Sequence, residues 1–425
     1  MILCFAVIMC DGFDLIVYGA AVPAILADTS LGVTALEAGT VGSYALAGML
    51  IGALLSGQLT DTLGRRKILL ISVTWFSTAM LACALAPNFE LFGAFRFLAG
   101  LGMGAAMPTA IALTAEYSPA DRRSINNALM FGGYSVGGIL AAVLALALVP
   151  SFGFRSVFFV GAAPLLLIVP FLVRYLPESI GFLMAKGRTE EAEKLAARLQ
   201  VPVAAVATDV TTDRRKAFRA LFTPLHILPA ILFAVVSFFG LLLVYGINTW
   251  LPQIMKAAGF SLSSSLLFLV VLNVGAAVGS IATAPLGDRF GMKPITLIAF
   301  ASAAVSIFLL SLPMPEVLRY VVVAIAGFGT IGTQIIVNAY VAIHFPVAVR
   351  ASALGWTLGI GRLGAIVGPV FGGLLLANNV GTSWNFYAFA IPAVIGLVLV
   401  TALPKHVGSS RRTTSTTAEP AARPA

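Results

Sequence analysis

Residues 57–67 read Gly57-Gln-Leu-Thr-Asp61-Thr-Leu-Gly64-Arg65-Arg66-Lys67, and residues 284–293 return to the pattern as Ala284-Pro-Leu-Gly-Asp288-Arg-Phe-Gly291-Met-Lys293. Asp61 and Asp288 are 227 positions apart, and so are Gly64 and Gly291. A second pair, Arg122-Arg-Ser124 and Arg350-Ala-Ser352, repeats at an offset of 228. Two matches at nearly one offset describe a chain built of two related halves.

Outward from these polar loops the chain is apolar. Hydrophobic residues make up 59% of the 425 positions and charged residues 10%, against about 45–50% and about 25% in a soluble domain. The apolar blocks are long enough to cross a bilayer, which takes about 20 residues per helix. Hydrocarbon leaves no water for the backbone, so the blocks must be helices. Spans are expected at 1–26, 40–60, 68–86, 91–113, 125–149 and 155–176, then at 226–250, 264–286, 294–312, 318–342, 353–377 and 383–403. The expected architecture is an all-α membrane protein of twelve transmembrane helices in two pseudo-symmetric six-helix bundles. Residues 1–176 form the first bundle and 226–404 the second. The segment 177–225 is a cytoplasmic loop carrying an amphipathic helix around Lys186–Leu199. Residues 208–216 read as polar and flexible, and 405–425 as a disordered cytoplasmic tail.

The net charge of +9 does not point to nucleic acid, because the basic residues follow topology. Of the 26 Lys and Arg, 21 lie in the even-numbered loops, the central segment and the tail. Positive charge marks the cytoplasmic side, so both termini and these loops are expected there, in a cell inner membrane. Cys4, Cys10 and Cys83 lie in apolar runs with no metal spacing. No His/Cys cluster and no phosphate-binding glycine loop occurs, so neither an enzyme nor a bound cofactor or metal is expected.

Charge inside an apolar span is costly and points to function. Asp11 and Asp14 lie one turn apart in the first span and share a face. Two carboxyls this close resist both being ionised, so the pair could carry a proton, either residue serving. The plainer alternative is a cap or an ion pair near the surface. Arg362 lies about ten residues into span 11, among Gly359, Gly361 and Gly364. Its planar fork suits a carboxylate held by two hydrogen bonds. It could equally pair with Asp11 or Asp14, and the two roles can coexist. Tyr134 occupies the place equivalent to Arg362 in the first half, as a binding hydroxyl or a packed ring. Asn273 and Trp356 are further candidates to line a flat apolar slot. Arg96 opens span 4, with a structural or gating role as open as binding. His344 reads as a polar contact.

The loop at 57–67 resembles the signature of the major facilitator superfamily, Gly-x-x-x-Asp-Arg/Lys-x-Gly-Arg/Lys-Arg/Lys, with Thr62 departing from it. Four further segments are similar to the aromatic acid:proton symporters: Asp11-Gly-Phe-Asp14; Arg96-Phe-Leu-Ala-Gly-Leu-Gly-Met-Gly104 with Pro108 and Glu116-Tyr117; Leu176-Pro-Glu-Ser179; and Gly355 to Pro369 around Arg362. The resemblance implies import of benzoate, hydroxybenzoate or a related acid with a proton, by a monomer that alternates access. It also implies that Asp61, Gly64, Arg65, Arg66, Glu116, Arg122, Asp288 and Arg350 tune the conformational equilibrium through charge pairs at helix ends. The alternatives are a proton-coupled carrier of another organic anion or metabolite and a sugar-type porter. A sugar porter would leave Arg362 and the aspartates without an anion to serve. A drug antiporter would carry Gly-Pro-x-x-Gly-Gly in span 5, where Gly132-Gly-Tyr-Ser-Val-Gly-Gly138 has no proline.

Overall fold

The computed structural model describes residues 1–119, 122–199, 214–378 and 380–404. No strand occurs among them, and twelve helices are long and apolar enough to cross a membrane. In chain order these are α1 (Ile2–Ile25), α2 (Ala35–Leu63), α3 (Arg65–Leu85), α4 (Phe89–Glu116), α5 (Arg123–Phe152) and α6 (Arg155–Tyr175). The second six are α7 (Ile227–Ala257), α8 (Leu262–Phe290), α9 (Met292–Leu309), α10 (Glu316–His344), α11 (Val347–Ala377) and α12 (Thr382–Ala402). Every expected span reappears.

The ends follow local chemistry. α2 starts five residues before the expected 40, because Thr34 and Glu37 form a reciprocal capping box. Asn88 caps α4 and Ser261 caps α8 through their side-chain oxygens. Gly64 stops α2 at φ 91°, ψ 152°, and Gly291 stops α8 at φ 87°, ψ 150°. The sequence repeat is therefore also a repeat of backbone conformation, in a region only glycine visits readily. α6 is broken at Ala162–Ala163 and Ile168, and α10 contains a π-helical turn at Phe328–Gly332.

The expected amphipathic helix is Thr189–Leu199, which buries Ala192 and Ala196 against Ile180 and Leu183 of the short helix Ile180–Ala185. The stretch read as flexible at 208–216 is different in its last residues. A helix runs from Arg214 to Leu221 and buries Leu221, whereas 200–213 lie outside the described residues, as does the tail 405–425.

Packing repeats with the sequence. α1 lies on α5 as α7 lies on α11, α2 on α4 as α8 on α10, and α3 on α6 as α9 on α12. The halves meet through α2–α11, α5–α8 and α1–α7. Large apolar side chains such as Ile281, Leu166 and Val317 are more than three-quarters exposed, a surface that hydrocarbon covers and water would not tolerate.

The close backbone approaches between the halves lie towards one end. Away from the basic loops, a Cβ on Gly39 would lie 2.5 Å from Pro369 O, one on Gly373 2.7 Å from Ala35 O, and one on Gly19 2.1 Å from Asn248 O. Ser43 Oγ donates to Ile366 O at 2.5 Å, and Lys256 Nζ to Pro23 O at 3.1 Å. Towards the basic loops, a Cβ on Gly57, Gly132, Gly355 or Gly359 would meet nothing within 4 Å. The close contacts between the halves are thus found towards the end opposite the basic loops.

Gly64→Ala and Gly291→Ala both place a side chain in a glycine-only conformation, which costs about 1–3 kcal/mol. Only at Gly64 would the new Cβ also meet Glu178, 2.6 Å from its Oε2; at Gly291 the nearest atom is Pro294 Cδ at 3.8 Å. Thermal unfolding in detergent should therefore rank Gly64→Ala as the less stable; equal midpoints would contradict this geometry.

Candidate functional site

Close helix contacts set the depth of the central side chains. A Cβ on Gly12 would lie 2.1 Å from Tyr134 O, one on Gly133 2.5 Å from Phe5 O and one on Gly137 1.9 Å from Met9 O. These three glycines seat α5 on α1 and bring Tyr134 beside Asp11. In the second half Gly361 packs on Ser237 and Gly364 on Phe238 O, seating α11 on α7 beneath Arg362.

Asp11 and Asp14 are both buried, but they have different surroundings. Asp14 Oδ1 accepts from Arg96 Nη1, and the ion pair is wholly enclosed within the first half. The guanidinium also lies 5.4 Å from the Tyr18 ring centroid, 5.9 Å from that of Phe158, and 3.7 Å from Met80 Sδ. Tyr18 is fixed in turn by donating its hydroxyl to Ala38 O at 2.5 Å. Arg96 thus has an ion-pair partner and two aromatic faces, and it does not reach for the surface.

Asp11 has none of this. Neither of its carboxylate oxygens has a hydrogen-bond partner. The charge that acts on it most strongly is Arg362 from α11, with Asp14 next. Arg362 is likewise uncommitted: Nη1 is buried without a partner, and Nη2 lies 3.8 Å from Met107 Sδ of α4. Tyr134 stands on α5, where the Gly12 and Gly133 contacts place it against the Asp11 turn of α1, and Tyr245 is buried on α7. Asp11, Met107 and Tyr134 from one half therefore converge with Tyr245 and Arg362 from the other, between the bundles.

The other two expected binding residues are on α8 and elsewhere along α11. Asn273 donates to Asn248 Oδ1 at 3.2 Å and to Leu269 O at 2.9 Å, at the α5–α8 contact beside Gly138. Trp356 stands nearer the basic end, its ring centroid 5.3 Å from Phe222 and 6.3 Å from Phe218 of the helix Arg214–Leu221 and the turn after it. His344 packs among Phe233, Tyr340 and Phe345.

The expected gating residues of the first half gather at its basic end. Arg65 pairs with Glu116. Glu116 also accepts from Ser179 Oγ at 2.6 Å, and Glu178 accepts the backbone N–H of Arg66 at 2.9 Å. Tyr117 donates its hydroxyl to Pro177 O at 2.7 Å. The loop after α2 is thereby tied to the segment after α6, with Gly64 beneath Glu178. Asp61 is exposed at the end of α2, Arg122 precedes α5, and Arg350 lies half-buried in the first turn of α11. The Asp288 side chain lies outside the described residues. Among the described residues no group of three or more His, Cys, Asp or Glu could hold a metal ion.

The model of the Major Facilitator Superfamily matches residues 4–366 and 274–424. A benzoate transport protein of Acinetobacter baylyi is 37% identical over 94% of this chain and 88% of its own. A gentisate transporter of Corynebacterium glutamicum is 38% identical over 92% and 84%, and the 4-hydroxybenzoate transporter PcaK of Acinetobacter baylyi 33% over 94% and 89%. The partially occluded inward-open xylose transporter XylE of E. coli superposes with a TM-score of 0.79 at 17% identity, covering 96% of this chain and 98% of that one. This last likeness is one of fold.

The two aspartates should separate in a stability measurement. Asp14→Asn leaves Arg96 as a buried unpaired cation, a loss of about 3–5 kcal/mol. Asp11→Asn removes no hydrogen bond and should leave stability unchanged or raised. Unfolding midpoints of the two purified variants that fall equally would contradict the assignment of Arg96 to Asp14.

Proposed function

Because this chain belongs to the major facilitator superfamily, in the branch of the benzoate, gentisate and 4-hydroxybenzoate transporters, we propose that it imports aromatic carboxylates together with protons by alternating access. The observation that carries this reading is a carboxylate and a guanidinium on different halves: Asp11 of α1, neither of whose oxygens has a hydrogen-bond partner, and Arg362 of α11, whose buried Nη1 has none.

One guanidinium stands between two claimants. With Asp11 ionised, its carboxylate competes for Arg362 and weakens any incoming anion. With Asp11 protonated, Arg362 is free to bind a substrate carboxylate through both nitrogens. Proton and substrate therefore favour each other's binding, and the favour is reciprocal. Asp14, neutralised by Arg96 in the same half, stays out of the competition and holds α1 to α4. The aromatic ring would lie among Tyr134, Tyr245 and Met107, whose hydroxyls and thioether can meet ring substituents and ring edges.

In this cycle the outward-facing protein takes up a proton on Asp11 and the acid on Arg362. The halves then rock about the site, and both ligands leave towards the basic loops. The basic loops and the termini lie on the cytoplasmic side of an inner membrane, as the distribution of Lys and Arg supports. The Arg65–Glu116 pair and the Glu178 contacts set the balance between access states. The monomer holds the whole site.

Uptake of labelled benzoate and 4-hydroxybenzoate by expressing cells tests the reading. Acidifying the medium should raise uptake, and collapsing the proton gradient should abolish accumulation. Arg362→Ala should lower uptake about 100-fold, the loss of two charge-assisted hydrogen bonds. Asp11→Asn should keep exchange of external for internal substrate but lose accumulation against a gradient. Proton-driven accumulation by Asp11→Asn at normal surface expression would remove Asp11 from the coupling.

A further inference from the structure

Away from the central site, a cavity of about 440 Å³ opens at the basic end of the first half. It lies between the ends of α1, α4 and α6 and the helix Thr189–Leu199. Arg66, Arg174 and Arg198 line it, and no Asp or Glu does. None of the three arginines is in an ion pair among the described residues. Arg66 Nη2 donates to the Val173 carbonyl at 2.5 Å while its Nε is buried without a partner. Arg174 lies 5.7 Å over the Tyr175 ring, and Arg198 is exposed. The nearest carboxylates are already engaged: Glu178 accepts from the backbone of Arg66 and Ser179, and Glu191 pairs with Arg188.

The remaining wall combines apolar Leu3, Leu176 and Leu199 with the polar side chains of Thr114, Ser118 and Asn126. The mouth adjoins a bilayer-facing strip of α6 on which Phe171 and Tyr175 are stacked and more than half exposed. Three cations at the level where a spanning helix ends, beside an apolar strip, match an amphiphile with an anionic head. We propose that this cavity binds the headgroup of an anionic phospholipid from the leaflet on the basic side, its acyl chains lying along α6. The lipid would clamp the helix Thr189–Leu199 to the bundle through Arg198, at the same place where the loop after α2 meets the segment after α6. Clusters of Lys and Arg beside a spanning helix bind anionic lipid through charge, while a zwitterionic headgroup offers no net charge to attract.

The full-length protein, purified in detergent, can be titrated with phosphatidylglycerol and with phosphatidylcholine and its lipid-bound fraction read by native mass spectrometry. Phosphatidylglycerol should bind tighter, and the double variant Arg174→Gln/Arg198→Gln should weaken it about thirty-fold. Arg289→Gln, the same charge change on an exposed arginine of the second half, should leave it as it is. The single variants serve if the double one does not express. Equal binding of the two lipids, or binding unchanged in the Arg174 and Arg198 variants, overturns the proposal. Displacement of the lipid by millimolar glycerol 1-phosphate or inorganic phosphate overturns it too, since the cavity would then be a site for soluble phosphate compounds.

Discussion

Asp11, Asp14, Arg96 and Arg362 carry charge-bearing side chains inside the apolar spans, where hydrocarbon offers no water. Each must be met by opposite charge or kept from ionising. Arg96 answers Asp14 within the first half, where the pair is enclosed by Tyr18, Phe158 and Met80. Asp11 and Arg362 belong to different halves; neither Asp11 oxygen has a hydrogen-bond partner, and Arg362 reaches Met107 Sδ at 3.8 Å while its Nη1 has none. An enclosed pair inside one rigid body survives any movement of the bodies. A pair split between two bodies depends on how they stand relative to each other and on what enters between them.

The close helix seats make that distinction sharp. α1 is fixed to α5, and α11 to α7, by glycines whose Cα atoms nearly touch the neighbouring backbone. Asp11 moves with Tyr134, and Arg362 with the Tyr245 helix. Between the halves the contacts are concentrated at the end away from the basic loops. Movement between states has to break those contacts and make others, and the open glycines Gly57, Gly132, Gly355 and Gly359 provide surfaces on which backbones can approach closely.

Much of this was legible in the sequence because hydrocarbon makes polar residues conspicuous. Twelve apolar blocks, the Gly64/Gly291 repeat and the basic loops needed no coordinates. Asp11, Asp14 and Arg362 stood out for the same reason. What the sequence could not supply was pairing. Asp11 and Asp14 look alike on a helical wheel, and only packing reveals that α4 delivers Arg96 to one of them. Arg96 itself carried a signal, as one of the few basic residues outside the basic loops. Tyr245 and Met107 carried none, because a tyrosine or methionine in an apolar run is ordinary. Trp356 and Asn273 had the right depth to be considered, but depth does not give azimuth and could not tell that one meets Phe222 and the other Asn248. The helix at Arg214–Leu221, which meets Trp356, was hidden by the strongly basic run at its start.

The equivalence of Tyr134 and Arg362 has a further consequence. Two like halves enclose a space with a near two-fold axis, and such a space by itself would accept an elongated guest either way round. A neutral phenol on one side and a cation on the other abolish that degeneracy. The site between the halves thereby acquires an electrical polarity running across the direction of travel, with its cation on the second half.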